Sequence, residues 1–166
     1  MTTEDNLKAA FAGESQANRK YLAFAKKAEE EGFKQVAKLF RAAAEAETIH
    51  AHNHLRTLKW IGSTMENLRE AIEGETHEFR EMYPEMIKTA QEEGNVDALR
   101  SFSFANKVEE THAILYGKAR EAVAEGKDTE EKEIYVCPVC GHTVEGDVPD
   151  KCPVCGTPGE KFKRIE

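Results

Sequence analysis

Residues 38–55 read KLFRAAAEAETIHAHNHL, and the motif ETIH at 47–50 returns as EETH at 109–112. Around the first copy, Val36, Leu39, Phe40, Ala43 and Ala46 recur at steps of three and four. That is the period of a helix with one apolar face. A glutamate and a histidine three residues apart share one face of such a helix. Two further glutamates mark the same repeat, Glu14 in GESQ (13–16) and Glu75 in GETH (74–77). EEEG at 29–32 likewise matches QEEG at 91–94. The offset is 75 − 14 = 61 at the start of the repeat and 109 − 47 = 62 at its end. One extra residue has therefore entered the third helix relative to the first. A single insertion is absorbed as a π-bulge, a feature common at functional sites.

Working outward, Gly32, Gly62, Gly94 and Gly126 punctuate the first part at spacings of 30, 32 and 32. Glycine is the usual residue just past a helix end. The spacing predicts four helices, over about 4–31, 34–61, 65–93 and 96–125, with Thr64 and Asn95 as N-caps of the last two. Long helices joined by short turns predict a mainly α, up-down four-helix bundle over residues 1–126. Pro84 falls inside the third helix and is expected to kink it. Composition changes near residue 127: four of the five prolines, all four cysteines and four of the eleven glycines follow it. GKDTEEKE (126–133) has no apolar period, so 127–133 reads as a linker and 134–166 as a small second domain.

With 23 Lys+Arg against 31 Asp+Glu, the chain carries a net charge of −8, which argues against a nucleic-acid partner. No stretch approaches the apolar run of about 18 residues that a membrane helix needs. The polar start MTTEDNLKAA shows no secretory signal, and a cytoplasmic location is expected. All four cysteines lie between 137 and 155, which reads as a metal site and not a disulfide framework.

One glutamate from each of two helices, with Glu-x-x-His from each of the other two, is the ligand set of a di-iron carboxylate bundle. Carboxylates bridge two cations and neutralise their charge, and neutral imidazole suits iron and its neighbours. Glu47 and Glu109 fall on or beside the apolar stripe, Glu109 seven residues after Phe102 and four before Ala113. Several buried carboxylates together demand a counter-charge, which iron or manganese supplies. Two Glu-x-x-His motifs in matching repeats are far more specific than one such motif on a glutamate-rich helix. Glu78 breaks the repeat: it shares a face with Glu75, while its counterpart is Ala17. A seventh ligand on one side makes the two metals inequivalent. Tyr21 and Tyr83 lie seven and eight residues after Glu14 and Glu75, a spacing that suits hydrogen-bond donors at the site's edge or ordinary packing. His52, His54 and His77 read as surface residues or helix-end cations.

The tail, IYVCPVCGHTVEGDVPDKCPVCGTPGEKFKRIE, is too short to fold without help. Cys137, Cys140, Cys152 and Cys155, in two CPVCG knuckles, provide it as a tetrahedral site for zinc or iron. That site is either a closed zinc ribbon or a redox iron shielded by Tyr135 and Phe162.

The segments AFAGESQANRKYLAFAKKAEEEGF and AIEGETHEFREMYP, both Glu-x-x-His motifs and the paired knuckles together resemble the rubrerythrin family, from about residue 5 to the end. The resemblance implies a ferritin-like di-iron bundle joined to a rubredoxin-like single-iron domain. Its di-iron ligands are implied to be Glu14, Glu47, His50, Glu75, Glu78, Glu109 and His112. Glu47 and Glu109 would bridge, and one iron would move between His50 and Glu78. Cys137, Cys140, Cys152 and Cys155 would hold the rubredoxin-type iron, with zinc or manganese as substitutes in the protein's sites. Tyr21 and Tyr83 resemble tyrosines lining the family's site. The implied activity is reduction of hydrogen peroxide to water in oxidative-stress defence. Electrons would come from rubredoxin or an NAD(P)H-dependent reductase. A tail this short is not expected to reach its own bundle's site, which implies a homodimer. The repeat permits exchange of helix pairs between chains, with the turn near Gly62 as the hinge. A ferroxidase or iron-handling protein is the competing reading, and a zinc-ribbon scaffold that binds a partner is a third.

Overall fold

In the computed structural model, which describes Met1–Glu166, the chain forms two units, Met1–Gly62 and Ser63–Glu166. The first is a helical hairpin of α1 (Thr3–Glu30) and α2 (Lys34–Leu58). Thr2 starts α1 with a capping box: its hydroxyl accepts from Asp5 N–H, and the Asp5 carboxylate accepts from Thr2 N–H. Gly32, at φ 86, makes the left-handed turn into α2 that a side chain would resist. Small residues let the helices approach closely, and Ala25, Ala28, Ala37 and Ala44 are all buried. Asn18 reaches across, its Nδ2 donating to Ala44 O at 2.7 Å and to Thr48 Oγ1 at 2.8 Å. Tyr21 and Phe24 of α1 meet Phe40 of α2 with tilted and edge-on rings.

The end of α2 departs from expectation. The helix stops at Leu58, where Lys59 takes the left-handed conformation (φ 58), and Gly62 has no stopping role. Tertiary packing overrides the glycine signal: the Trp60 ring meets Phe11 edge-on at 6.1 Å, and Lys8 Nζ lies over its face.

The second unit begins with α3 (Thr64–His77), capped by Ser63 instead of Thr64 through a box with Glu66. A π segment, Glu78–Met82, follows, and then α4 (Tyr83–Glu92) and α5 (Val96–Ala124). The inserted residue predicted from the offset is taken up in this π segment, where Tyr83 N–H reaches back five residues to Glu78 O. Pro84, which has no N–H to give, stands in the first turn of α4, where none is needed. Asn95 caps α5 as expected, its Oδ1 accepting from Ala98 N–H at 3.1 Å. Val108 of α5 and Ala90 of α4 are buried in this unit.

The tail carries β1 (Ile134–Val136), β2 (Thr143–Glu145) and β3 (Lys163–Ile165), antiparallel in the order β2-β1-β3. Tyr135 pairs with Val144 on one side and Arg164 on the other. Contrary to expectation, the tail folds back onto its own helix: β2 packs on α5, and Thr143 touches His112. The reach is modest. His112 lies twelve residues before the end of α5 at Ala124, about 18 Å of helix. The seven residues 127–133, extended, span about 24 Å.

Candidate metal centres

The Glu-x-x-His spacing places both side chains of each motif over one turn, and the opposing helix adds a second carboxylate. In the first unit, His50 Nδ1 lies 2.9 Å from Glu47 Oε2 and 3.8 Å from Glu14 Oε1. In the second, His112 Nδ1 lies 2.8 Å from Glu109 Oε2 and 3.7 Å from Glu75 Oε1. In each set of three, one donor atom per residue falls within 4.8 Å of the others. In both, Nδ1 is the nitrogen turned on the carboxylates. The two oxygens and one nitrogen suit a transition ion that takes imidazole and carboxylate.

As expected of acids on or beside the core stripe, their side chains are largely covered, Glu47, Glu75 and Glu109 at 17–18% exposure and Glu14 at 30%. Their protons report crowding. Burial pushes the Glu75 carboxyl up to about 7, helped by the hydrogen bond and charge of Glu109 and the charge of Glu78. Glu14 is raised through a hydrogen bond with Glu47, then by burial, while Glu47 is lowered by Glu14 and His50. Each pair crowds two carboxylates against one imidazole, an arrangement that a cation relieves.

Glu78 opens the π segment outside the second three-residue set. Burial raises its carboxyl, and the charges of Glu109 and His112 both act on it. Tyr83 packs on Phe102, and its hydroxyl is raised by burial and then by Glu78, Glu109 and Glu75. Tyr21 instead belongs to the aromatic cluster with Phe24 and Phe40. His52 is exposed, and His77 pairs with Glu81 at the surface. His54 is half-buried, close enough for its charge to act on Glu14.

In the tail, two matching turns bring the sulfurs together. Cys137 N–H donates to His142 O and Gly141 N–H to Cys137 O; Cys152 N–H donates to Thr157 O and Gly156 N–H to Cys152 O. Gly141 (φ 84) and Gly156 (φ 77) occupy the left-handed corners. Cys137 Sγ lies 3.6 Å from Cys155 Sγ, and Cys140 Sγ lies 3.5 Å from Cys152 Sγ. These separations are too long for disulfides and close to the about 3.8 Å between ligands in a tetrahedron of 2.3 Å bonds. Burial and the neighbouring sulfurs hold the Cys140 thiol up. At Cys155 burial pushes upward too, but the Thr157 hydroxyl, 3.0 Å away, the Thr157 amide and two neighbouring thiols outweigh it and bring the group to about 6.

Two hydroxyls escaped the sequence reading. Thr157 sits against Cys155, and Thr143 lies 2.9 Å from His112 Nε2. The available signal was a threonine within three residues of the second cysteine of each knuckle.

Comparison with known proteins agrees with this chemistry. Residues 5–120 match the rubrerythrin family model, and 135–163 match that of the rubrerythrin rubredoxin-like domain. Rubrerythrin-2 of Clostridium acetobutylicum is 37% identical, over 97% of this chain and 95% of that protein. Nigerythrin of Nitratidesulfovibrio vulgaris is 37% identical, over 97% of this chain and 85% of its own. The structure of nigerythrin in its fully reduced, all-ferrous state superposes with a TM-score of 0.60, at 36% identity, covering 99% of this chain and 87% of that one. With ferritin-like helices, glutamate–histidine metal sets and a four-cysteine knuckle in one polypeptide, the chain belongs to the rubrerythrin family, and iron is its cofactor.

Proposed function

We propose that this protein is a di-iron peroxidase that reduces hydrogen peroxide to water in defence against oxidative stress. The observation that carries the reading is the pairing, in one chain, of two Glu-x-x-His sets with Nδ1 turned on carboxylates and a four-thiolate site of the electron-carrier type. Glu14, Glu47, His50, Glu75, Glu78, Glu109 and His112 are assigned to two irons, with Glu47 and Glu109 as bridges. His50 and Glu78 are assigned as alternating ligands of one position. Cys137, Cys140, Cys152 and Cys155 are assigned to the third iron.

Bound iron supplies the two electrons that, with two protons, convert one hydrogen peroxide to two waters. The chain's own part is to hold the reactants and the protons. The protons that the product oxygens need come from water and from a carboxylic acid beside the site. Tyr83, among the charges of Glu75, Glu78 and Glu109, is assigned with Tyr21 to the edge of the site. An iron held by Cys137, Cys140, Cys152 and Cys155 would take electrons from rubredoxin or an NAD(P)H-linked reductase, and the tether would keep that donor at high local concentration.

The working form in this proposal is a cytoplasmic homodimer that exchanges helix pairs near Gly62. The chain divides into 1–126, a linker at 127–133, and 134–166. The repeat supports the exchange, because each helix pair carries one Glu-x-x-His and one further glutamate.

A single turnover without oxygen tests the activity. Iron-loaded protein is reduced until the red tetrathiolate colour bleaches, freed of reductant, and mixed with one equivalent of peroxide or dioxygen. Rapid return of colour with peroxide and slow return with dioxygen is expected. Fast return with dioxygen alone would make the protein a ferroxidase or oxidase. Absence of colour in protein made with ample iron would mean a zinc ribbon.

A further inference from the structure

His112 is held at both ring nitrogens. Nδ1 faces Glu109 and Glu75, and Nε2 lies 2.9 Å from Thr143 Oγ1. Thr143 Oγ1 in turn donates to Gly141 O at 3.2 Å. A hydroxyl has one proton to give. With that proton on the Gly141 carbonyl, Thr143 can only accept from His112, so Nε2 carries the ring proton. The neutral ring then presents its Nδ1 lone pair to the two carboxylates, as a metal ligand must.

His50 has no such support. Its Nδ1 is placed like that of His112, but Nε2 has no partner, and the side chain is 52% exposed against 27% for His112. The support itself depends on the knuckle. Thr143 follows Cys140 by three residues, and the turn that carries it is closed by Cys137 N–H to His142 O (2.8 Å) and Gly141 N–H to Cys137 O (2.9 Å). The same turn lies against α5, where a Cβ at Gly141 would stand 3.8 Å from Val108 Cγ1.

We infer that Thr143 is a positioning residue that locks His112 in its Nε2–H tautomer, so that closing the four-cysteine site prepares the Glu75–Glu109–His112 set for its metal. The inference rests on the ligand role proposed for His112. It makes the two Glu-x-x-His sets unequal: one is braced by the tail, and the other is free to let its histidine swing.

The test uses the full chain with one equivalent of zinc in the four cysteines and the glutamate–histidine sets empty. Long-range proton–nitrogen NMR of the histidine rings reads the tautomer directly, and cobalt(II) titration reads affinity. Wild type is expected to show His112 as a single Nε2–H tautomer. Thr143→Val should mix the tautomers of His112, leave His50 unchanged, and weaken cobalt binding at the His112 set about tenfold. Thr143→Ser should restore both. If Thr143→Val fails to keep its zinc, Thr143→Ala is read by the same measures. A Thr143→Val protein with zinc bound, His112 still purely Nε2–H and cobalt affinity unchanged would overturn the inference. Failure of wild type to bind cobalt at these residues would instead overturn the ligand reading, and the tautomer would still decide the role of Thr143.

Discussion

Glu109 and His112 stand one turn apart on α5 with Oε2 and Nδ1 2.8 Å apart, and Glu47 and His50 repeat the relationship on α2 at 2.9 Å. The pairing lets each helix offer a carboxylate and an imidazole to one ion, as the proposed ligand set requires. Glu109→Ala is expected to empty that position. A bound metal provides several kcal/mol at the reacting centre, so peroxide turnover should fall at least about 100-fold. Metal analysis should show iron lost from the glutamate–histidine sites while the four-cysteine iron and its colour remain. Full iron content with full turnover would remove Glu109 from the ligand set.

Metal loading should release protons in a pH-dependent way. Glu75 is pushed to about 7 from an ordinary 4.5, by burial first and then by Glu109 and Glu78. Between those values the metal-free fold holds a proton that the unfolded chain has lost. Its stability therefore falls as pH rises through that window. A metal must expel the same proton, so its affinity climbs with pH there. Anaerobic calorimetry of ferrous binding in buffers of different ionisation enthalpy should find more protons released at pH 6 than at pH 8. Equal release at both would show that Glu75 is already ionised.

Stripping the four-cysteine metal should unfold only the tail. A segment of this size has little core of its own, and its sulfurs converge on one point. A thiol-competing chelator is expected to abolish the amide dispersion of residues 134–166 in NMR, while far-UV circular dichroism keeps most of its helical signal. Retained tail dispersion without metal would contradict this.

Gly141→Ala probes the knuckle corner. At φ 84 an alanine pays about 1–2 kcal/mol for the left-handed conformation. The new methyl has ordinary room beside Val108, so strain and not collision dominates. The expected result is weaker zinc retention by the tail in competition with a chromogenic chelator, with the melting of the helices little changed. Unchanged retention would mean that the corner relaxes without cost.

Much of this was legible because it is local. Helical period, the glycine stops at Gly32, Gly94 and Gly126, the Asn95 cap and the CPVCG turns are all written in adjacent residues. The π segment was legible from arithmetic alone, since one repeat gained a residue. What escaped depends on contacts across the chain. α2 ends at Lys59 because Trp60 finds Phe11, and Asn18 bonds to residues 26 and 30 positions away. Thr143 meets His112 across 31 residues. The acids were legible too, because they fall on or beside the apolar face and their side chains are largely covered there.

The π segment carries one last consequence. The repeat offset is 61 at His77 and 62 at Tyr83, so the added residue lies within Glu78–Met82, where the helix widens. In a regular helix one extra residue turns everything beyond it by about 100°. Here the widened turn absorbs that rotation, so both flanks keep the register of their counterparts in α1. The insertion and the acid are thus separate differences between the two halves: the widened turn takes up the added residue, and at a matched position just before that residue one half has an acid, Glu78, where the other has Ala17.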